Sequence, residues 1–235
     1  MTNDLLHIKL KNRLNKLASS DYDNFESWQI AEAFNKAQLE WVRRQVHGNN
    51  LHKEGNESSK MSIDDLQILL TEAVLKAHDL RDGFWQTNKL PGDYLYGKRM
   101  SAKAISDCCL ERVSMVFYPV ENTDIDILAI DENRKPSFEW RESYYTLQNN
   151  VVRLYTNGEF DLTSVKMMYY RKPKEVKFKG DLDLITGVPH IAHVECEFKD
   201  DITEIILDEA AALLAGDIES MMQVNRLKTN AQSNE

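Results

Sequence analysis

Cysteine is scarce in this chain of 235 residues. Cys108, Cys109 and Cys196 are odd in number and two are adjacent, which argues against a disulfide framework and leaves no paired-cysteine zinc ligands. Nine glycines and five prolines are too few for a fibrous or low-complexity chain. There is no glycine-rich phosphate loop and no nucleophile elbow. No apolar run approaches the roughly 20 residues that span a bilayer. Met1-Thr2-Asn3-Asp4 lacks the basic start and apolar core of a secretory signal, so a cytoplasmic origin is expected. Positive charge is also in short supply: 29 Lys and Arg stand against 38 Asp and Glu, a net charge of -9. A chain whose main task is to grip phosphates needs the opposite balance, whereas this charge suits a path that DNA only passes and an ordinary cytosolic surface equally.

What is present begins with helices. Leu6, Leu10, Leu14 and Leu17 recur at helical spacing on a segment otherwise rich in Lys, Asn and Arg. Asp23-Asn24-Phe25-Glu26 then offers an N-cap with an acid three residues on, and Trp28, Ile30, Phe34, Ala37, Trp41 and Val42 continue the period until Gly48 stops it. Trp28, Phe34 and Trp41 form an aromatic stripe suited to core packing or to a subunit contact. Residues 49–60, with Asn, Gly, Ser, Lys and Glu, read as an exposed loop. Asp64 and Asp65 open a short helical turn, after which Leu66, Ile68, Leu69 and Leu70 are expected to enter the core and Ala73, Val74 and Leu75 to begin extended structure.

From there the period shortens to two. Strands are predicted at 93–100, 102–106, 112–118, 126–130, 138–146, 151–155 and 165–170, separated by turn clusters such as Asn122-Thr123-Asp124 and Thr156-Asn157-Gly158. The last predicted strand runs into Tyr169-Tyr170-Arg171-Lys172-Pro173-Lys174-Glu175-Val176-Lys177-Phe178-Lys179. Basic residues interleaved with aromatics fit a nucleic-acid-binding module, a charged solvent face, or contact with an acidic protein neighbour, and Arg171, Lys172, Lys174 and Lys177 are the candidates for that contact. His190, His193, Glu195, Cys196 and Glu197 fall within eight residues. On a strand, His193, Glu195 and Glu197 would share a face, either as metal ligands of a metal-dependent enzyme or as the polar side of an edge strand over Val194 and Cys196. The acid pairs Asp64/Asp65, Asp124/Asp126 and Asp200/Asp201 need nothing beyond capping and turns.

The chain closes with an acid-led helix from Asp200 to about Glu219, on which Ile202, Ile205, Ile206, Glu209, Leu213 and Asp217 share a face and Ala210 to Ala212 keep the neighbouring faces small. Ile202, Ile205, Leu213 and Ile218 are its expected docking residues, against either its own domain or a neighbouring subunit. The chain therefore reads as α+β. An N-terminal helical segment and loop cover 1–60. A β-rich core domain over 61–198 forms a small, mostly antiparallel β-sandwich or barrel. A C-terminal helix and flexible tail occupy 199–235.

Three pieces of this order carry a resemblance. Leu90-Pro91-Gly92-Asp93-Tyr94-Leu95-Tyr96 resembles the Leu-Pro-x-Asp-aromatic-Leu segment that opens the sheet of head-to-tail connector proteins of tailed bacteriophages. Val165 to Pro173 resembles their late strand ending in Tyr-x-basic-basic-Pro, and Val194 to Met222 resembles their last strand and closing helix. The whole looks most like the virion ring proteins of crAss-like phages of gut bacteria, with 107–133 and 178–189 departing from the pattern. The resemblance implies a virion structural protein without catalysis, cofactor or metal. It implies a homo-oligomeric ring of about twelve copies, built on heterologous interfaces. The expected partners are the portal protein and other tail or ring proteins, with packaged DNA passing through unbound and no membrane contact. The expected location is the portal vertex or tail neck of the virion, and the bacterial host cytoplasm during assembly.

Overall fold

A computed structural model describes residues 1–15, 25–47, 64–79, 83–106, 109–183 and 186–217. The fold is α+β: N-terminal helices, an eight-stranded, mostly antiparallel, nearly closed barrel-like sheet, and a C-terminal helix. The chain divides into two compact units, a helical unit of Met1–Ile68 with Pro173–Glu235 and a barrel unit of Leu69–Lys172. Residues 173–198, grouped with the β-rich core from sequence, thus belong to the helical unit. Leu17, Asp23, Asn24, the loop 49–60, Ile218 and the tail lie outside the described residues.

In the helical unit, α1 (Asn3–Asn15) buries Leu6, Leu10 and Leu14 completely. Helix α2 (Ser27–His47) starts where Glu26 acts as N-cap: Gln29 N donates to the Glu26 carbonyl, and the Gln29 Oε1 accepts from Glu26 N at 3.1 Å. This is the reciprocal half of a capping box, three residues later than the Asp23 start predicted from sequence. Ile30, Phe34, Ala37, Trp41 and Val42 are buried along one face. Trp28 departs from the predicted stripe: it is 37% exposed, and its indole N–H donates to Glu26 Oε2 at 2.5 Å.

The closing helix α4 (Asp200–Asp217) packs against both α1 and α2. Two neighbouring helices require apolar surface around more of the circumference than one face supplies. Ile202, Ile206, Leu207, Ala210, Ala211 and Leu214 are therefore buried, while the predicted docking residues Ile205 and Leu213 stay half-buried. The small alanines allow close approach. The less buried side carries acids at i and i+4, and α1 meets it with bases. Lys9 and Arg13 both donate to Glu204, and Arg13 Nε donates to Asp208 at 2.5 Å. On the α2 side, Arg44 donates to Glu209.

In the barrel unit the strand order is β1-β8-β4-β5-β6-β7-β3-β2. The strands are β1 (Leu70–Leu75), β2 (Ala77–Asp79), β3 (Phe84–Thr87), β4 (Tyr94–Ser106), β5 (Cys109–Pro119), β6 (Glu142–Gln148), β7 (Val151–Tyr155) and β8 (Asp161–Arg171). The two edge strands, β1 and β2, are separated in sequence by Lys76 alone, so the chain itself draws the sheet edges together. Asn88 fixes that joint: its backbone N–H donates to the Lys76 carbonyl at 2.9 Å, and its side-chain oxygen accepts from Lys76 N at 3.2 Å. Met100, Met115, Leu154, Val152 and Met167 fill the interior. Ile68 and Leu70, expected inside, are exposed, whereas Leu66 and Leu69 are fully buried.

All neighbouring strands run antiparallel except β5 and β6. A parallel pair needs a crossover, which here contains α3 (Ile125–Ile130). This corrects the strand predicted at 126–130: six residues rich in Ile are too short for periodicity to separate helix from strand. The predicted strands 93–100 and 102–106 are one strand, β4.

Candidate functional site

Asp93 joins two of the segments that carry the resemblance. Tyr94 N donates to the Pro91 carbonyl at 3.1 Å, which turns the chain into β4 with Asp93 at the strand mouth. There the Asp93 carboxylate accepts from the Tyr169 hydroxyl at 3.0 Å, and the Asp93 carbonyl accepts from Lys172 N at 2.7 Å. Burial, reinforced by that carboxylate, pushes the Tyr169 phenol up. Behind this clasp, Gly97 leaves room for three side chains: a Cβ there would lie 2.9 Å from the Met167 methyl, 3.2 Å from the Tyr94 hydroxyl and 3.4 Å from that of Tyr145. Burial pushes the Tyr145 phenol up to about 12. These groups tie the strand mouth together.

The most exposed large apolar side chains lie in two other segments. In the crossover of the barrel unit, Ile125 seats α3 on its sheet, and at about 100° per residue Ile127 and Ile130 then face outward, the latter 82% exposed. Trp140 follows at 77% exposure, just before Arg141, whose φ of 59° turns the chain into β6. In the helical unit, residues 178–183 and 186–194 form an antiparallel pair: His190 N donates to the Asp181 carbonyl at 2.9 Å and Asp183 N to the Val188 carbonyl at 3.0 Å. Gly187, at φ 68°, closes its turn. Leu182, Val188 and Ile191 project from it, Ile191 with 91% of its surface exposed. Ser27 donates to Asp181 at 2.5 Å, and a cleft of about 340 Å³ lined by Trp28, Asn35, Phe178 and His190 lies beside this anchor.

The basic segment is partly engaged within the chain. Lys174 lies 3.7 Å from Glu197, Lys177 is 3.8 Å from Glu175 and 4.0 Å from Asp183, and Lys166 pairs with Glu72 at 2.7 Å. Arg171 donates to the Lys172 carbonyl at 3.2 Å. A phosphate backbone would have to compete with these carboxylates. Phe34, Trp41 and Ile202 are core residues of the helical unit.

The group His193, Glu195 and Glu197 does not converge, because 190–198 is not a regular strand; its only ladder contact is the bridge between Lys177 and Val194. His193 Nδ1 accepts from Lys179 N at 3.3 Å, and Glu197 accepts from Lys174 N at 2.9 Å. Among the described residues no three His, Cys, Asp or Glu side chains gather as a metal would need. Cys196 is buried, its thiol pushed up by burial, and it donates to Gln38 Oε1 at 3.6 Å.

Sequence reasoning missed the side chains that organise 173–198. Asn35 donates to the Val176 carbonyl at 3.1 Å and accepts from Val176 N at 2.7 Å, acting as an extra peptide unit. Gln38 donates to the Lys174 carbonyl at 3.0 Å, and Asn3 to the Lys177 carbonyl at 2.8 Å. The signal was there for Gln38, a polar residue between Phe34 and Trp41 on the apolar face of α2. No protein-family model matches the chain, and no curated protein matches its sequence. Among the described residues no helix is long and apolar enough to cross a membrane.

Proposed function

We propose that the chain is a virion structural protein of a tailed bacteriophage, a head-to-tail connector that assembles as a ring beneath the portal and continues the DNA tunnel. The observation that carries this reading is the presence of strongly exposed apolar side chains on two different elements, Ile127, Ile130 and Trp140 on the crossover and Leu182, Val188 and Ile191 on the 178–194 segment. Where such side chains are contiguous they mark protein contacts. A closed ring of identical subunits needs two different surfaces per copy, one meeting the other on the next copy. The Asp93 clasp adds support, since it ties together two of the segments on which the resemblance to connector proteins rests. A charge of -9 per copy, repeated around a ring, fits a tunnel past which DNA slides.

Native mass spectrometry of the chain, alone and mixed with the portal protein of the same phage, tests the proposal. A ring of about twelve copies in either sample is expected. A chain that stays monomeric in both overturns it.

A further inference from the structure

Arg153 on β7 is half-buried, and its guanidinium carbon lies 5.2 Å from the centroid of the Phe84 ring. Its Nε–H is fully buried and has no acceptor. The half-buried Arg13 and Arg44 are each paired with carboxylates, whereas among the described residues the Arg153 side chain has no carboxylate partner and its Nε–H no acceptor. A buried charged donor without an acceptor is unfavourable, so a partner that supplies one is favoured. The group lines a cleft of about 470 Å³ bounded by Phe84, Asn122, Ile125, Asp126 and Gln148.

We infer that this cleft is a docking pocket for one carboxylate, an Asp or Glu side chain presented by a protein partner. With Nε buried, the guanidinium can meet a carboxylate end-on, in two parallel hydrogen bonds from its two Nη groups. Asn122 and Gln148 line the same cleft, and an amide side chain is a hydrogen-bond donor, although that of Asn122 already donates to the Leu147 carbonyl at 3.5 Å. Helix α3, which forms one wall, carries the exposed Ile127 and Ile130, so an apolar surface adjoins an arginine anchor as in the energetic centres of protein interfaces. A nucleic acid fits poorly, because successive phosphates need several cations and, among the described residues, no second Lys or Arg lines the cleft. The inference goes beyond the connector reading and does not need it: any partner offering a carboxylate beside apolar side chains would serve.

The test follows the Arg153 Nε–Hε signal by two-dimensional NMR of the full chain. The probes are acetyl-Leu-Glu-Leu-amide, its Gln counterpart, inorganic phosphate and a short DNA duplex. The Glu peptide is expected to move the signal saturably and to bind about tenfold more tightly than the Gln peptide, the worth of one charge-assisted hydrogen bond. Asp126→Asn should tighten the Glu peptide, and Arg153→Gln should abolish the Glu-over-Gln preference, read from the α3 amide signals. The wild-type and Asp126→Asn measurements stand even if Arg153→Gln fails to fold. An unmoved signal means a water-filled cleft only and overturns the inference. So does an equal response to the Glu and Gln peptides, or a preference for phosphate or DNA.

Discussion

In the barrel unit, backbone N–H and C=O groups pair with one another in ladders from β1 around to β2. In the helical unit the extended segment 173–198 makes single bridges instead, and Asn3, Asn35 and Gln38 on two helices stand in for the missing strand. Both arrangements satisfy buried peptide groups. They spread the risk differently: a ladder shares it over many bonds, while both peptide groups of Val176 are met by the one Asn35 side chain. Single substitutions of polar residues should therefore damage the helical unit more than the barrel unit.

The largest effect expected is from Trp41→Ala, which removes a fully packed ring and its edge contact with Phe198 at 5.2 Å. A loss of about 3–5 kcal/mol is expected by urea unfolding. Asn35→Ala tests the comparison itself. It removes two hydrogen bonds and orphans both peptide groups of Val176, a cost of about 2–3 kcal/mol. Hydrogen exchange at the Val176 amide should accelerate with it, and an unchanged rate would break the comparison. In the barrel unit, Gly97→Ala should cost about 1 kcal/mol, the low end for overpacking, because the closest atom is the flexible end of Met167.

The last prediction concerns acid. Burial pushes the Glu204 carboxyl up, but the hydrogen bonds from Lys9 and Arg13 outweigh it and hold the group below its usual value. A carboxylate whose folded value is depressed stabilises the fold above its unfolded value, and that contribution disappears as pH falls through the folded value. Thermal melts from neutral pH down to about pH 3 should show this loss, and Glu204→Gln should flatten it. An identical acid profile in the variant would remove Glu204 from the account.

Where the residue pattern kept one phase, the sequence was legible. Val165, Met167 and Tyr169 alternate and are buried, and the predicted strand 165–170 lies within β8. The first part of β8 was missed because the register slips between Lys103 and Ala104 on the facing strand. Leu162 is therefore buried in the opposite phase to Val165, and the alternation breaks at the bulge. Strands β2 and β3 are three and four residues long, too short for any period to show. Trp28 looked like core because spacing alone cannot reveal that Glu26 holds its indole at the surface. Arg153 gave no sign either, since an unpaired cation is defined by what surrounds it in space.

Counting strand directions around the barrel shows why it has a crossover at all. With β1 and β2 taken as one strand bent at Lys76, the eight strands make seven, and the circuit must return to its starting direction. An odd number cannot alternate up and down all the way round, so one like-directed pair is obligatory. Here it is β5 with β6, whose link must travel from one end of the barrel back to the other. The crossover is thus imposed by arithmetic, while the helix α3 within it and its outward isoleucines are a choice of sequence.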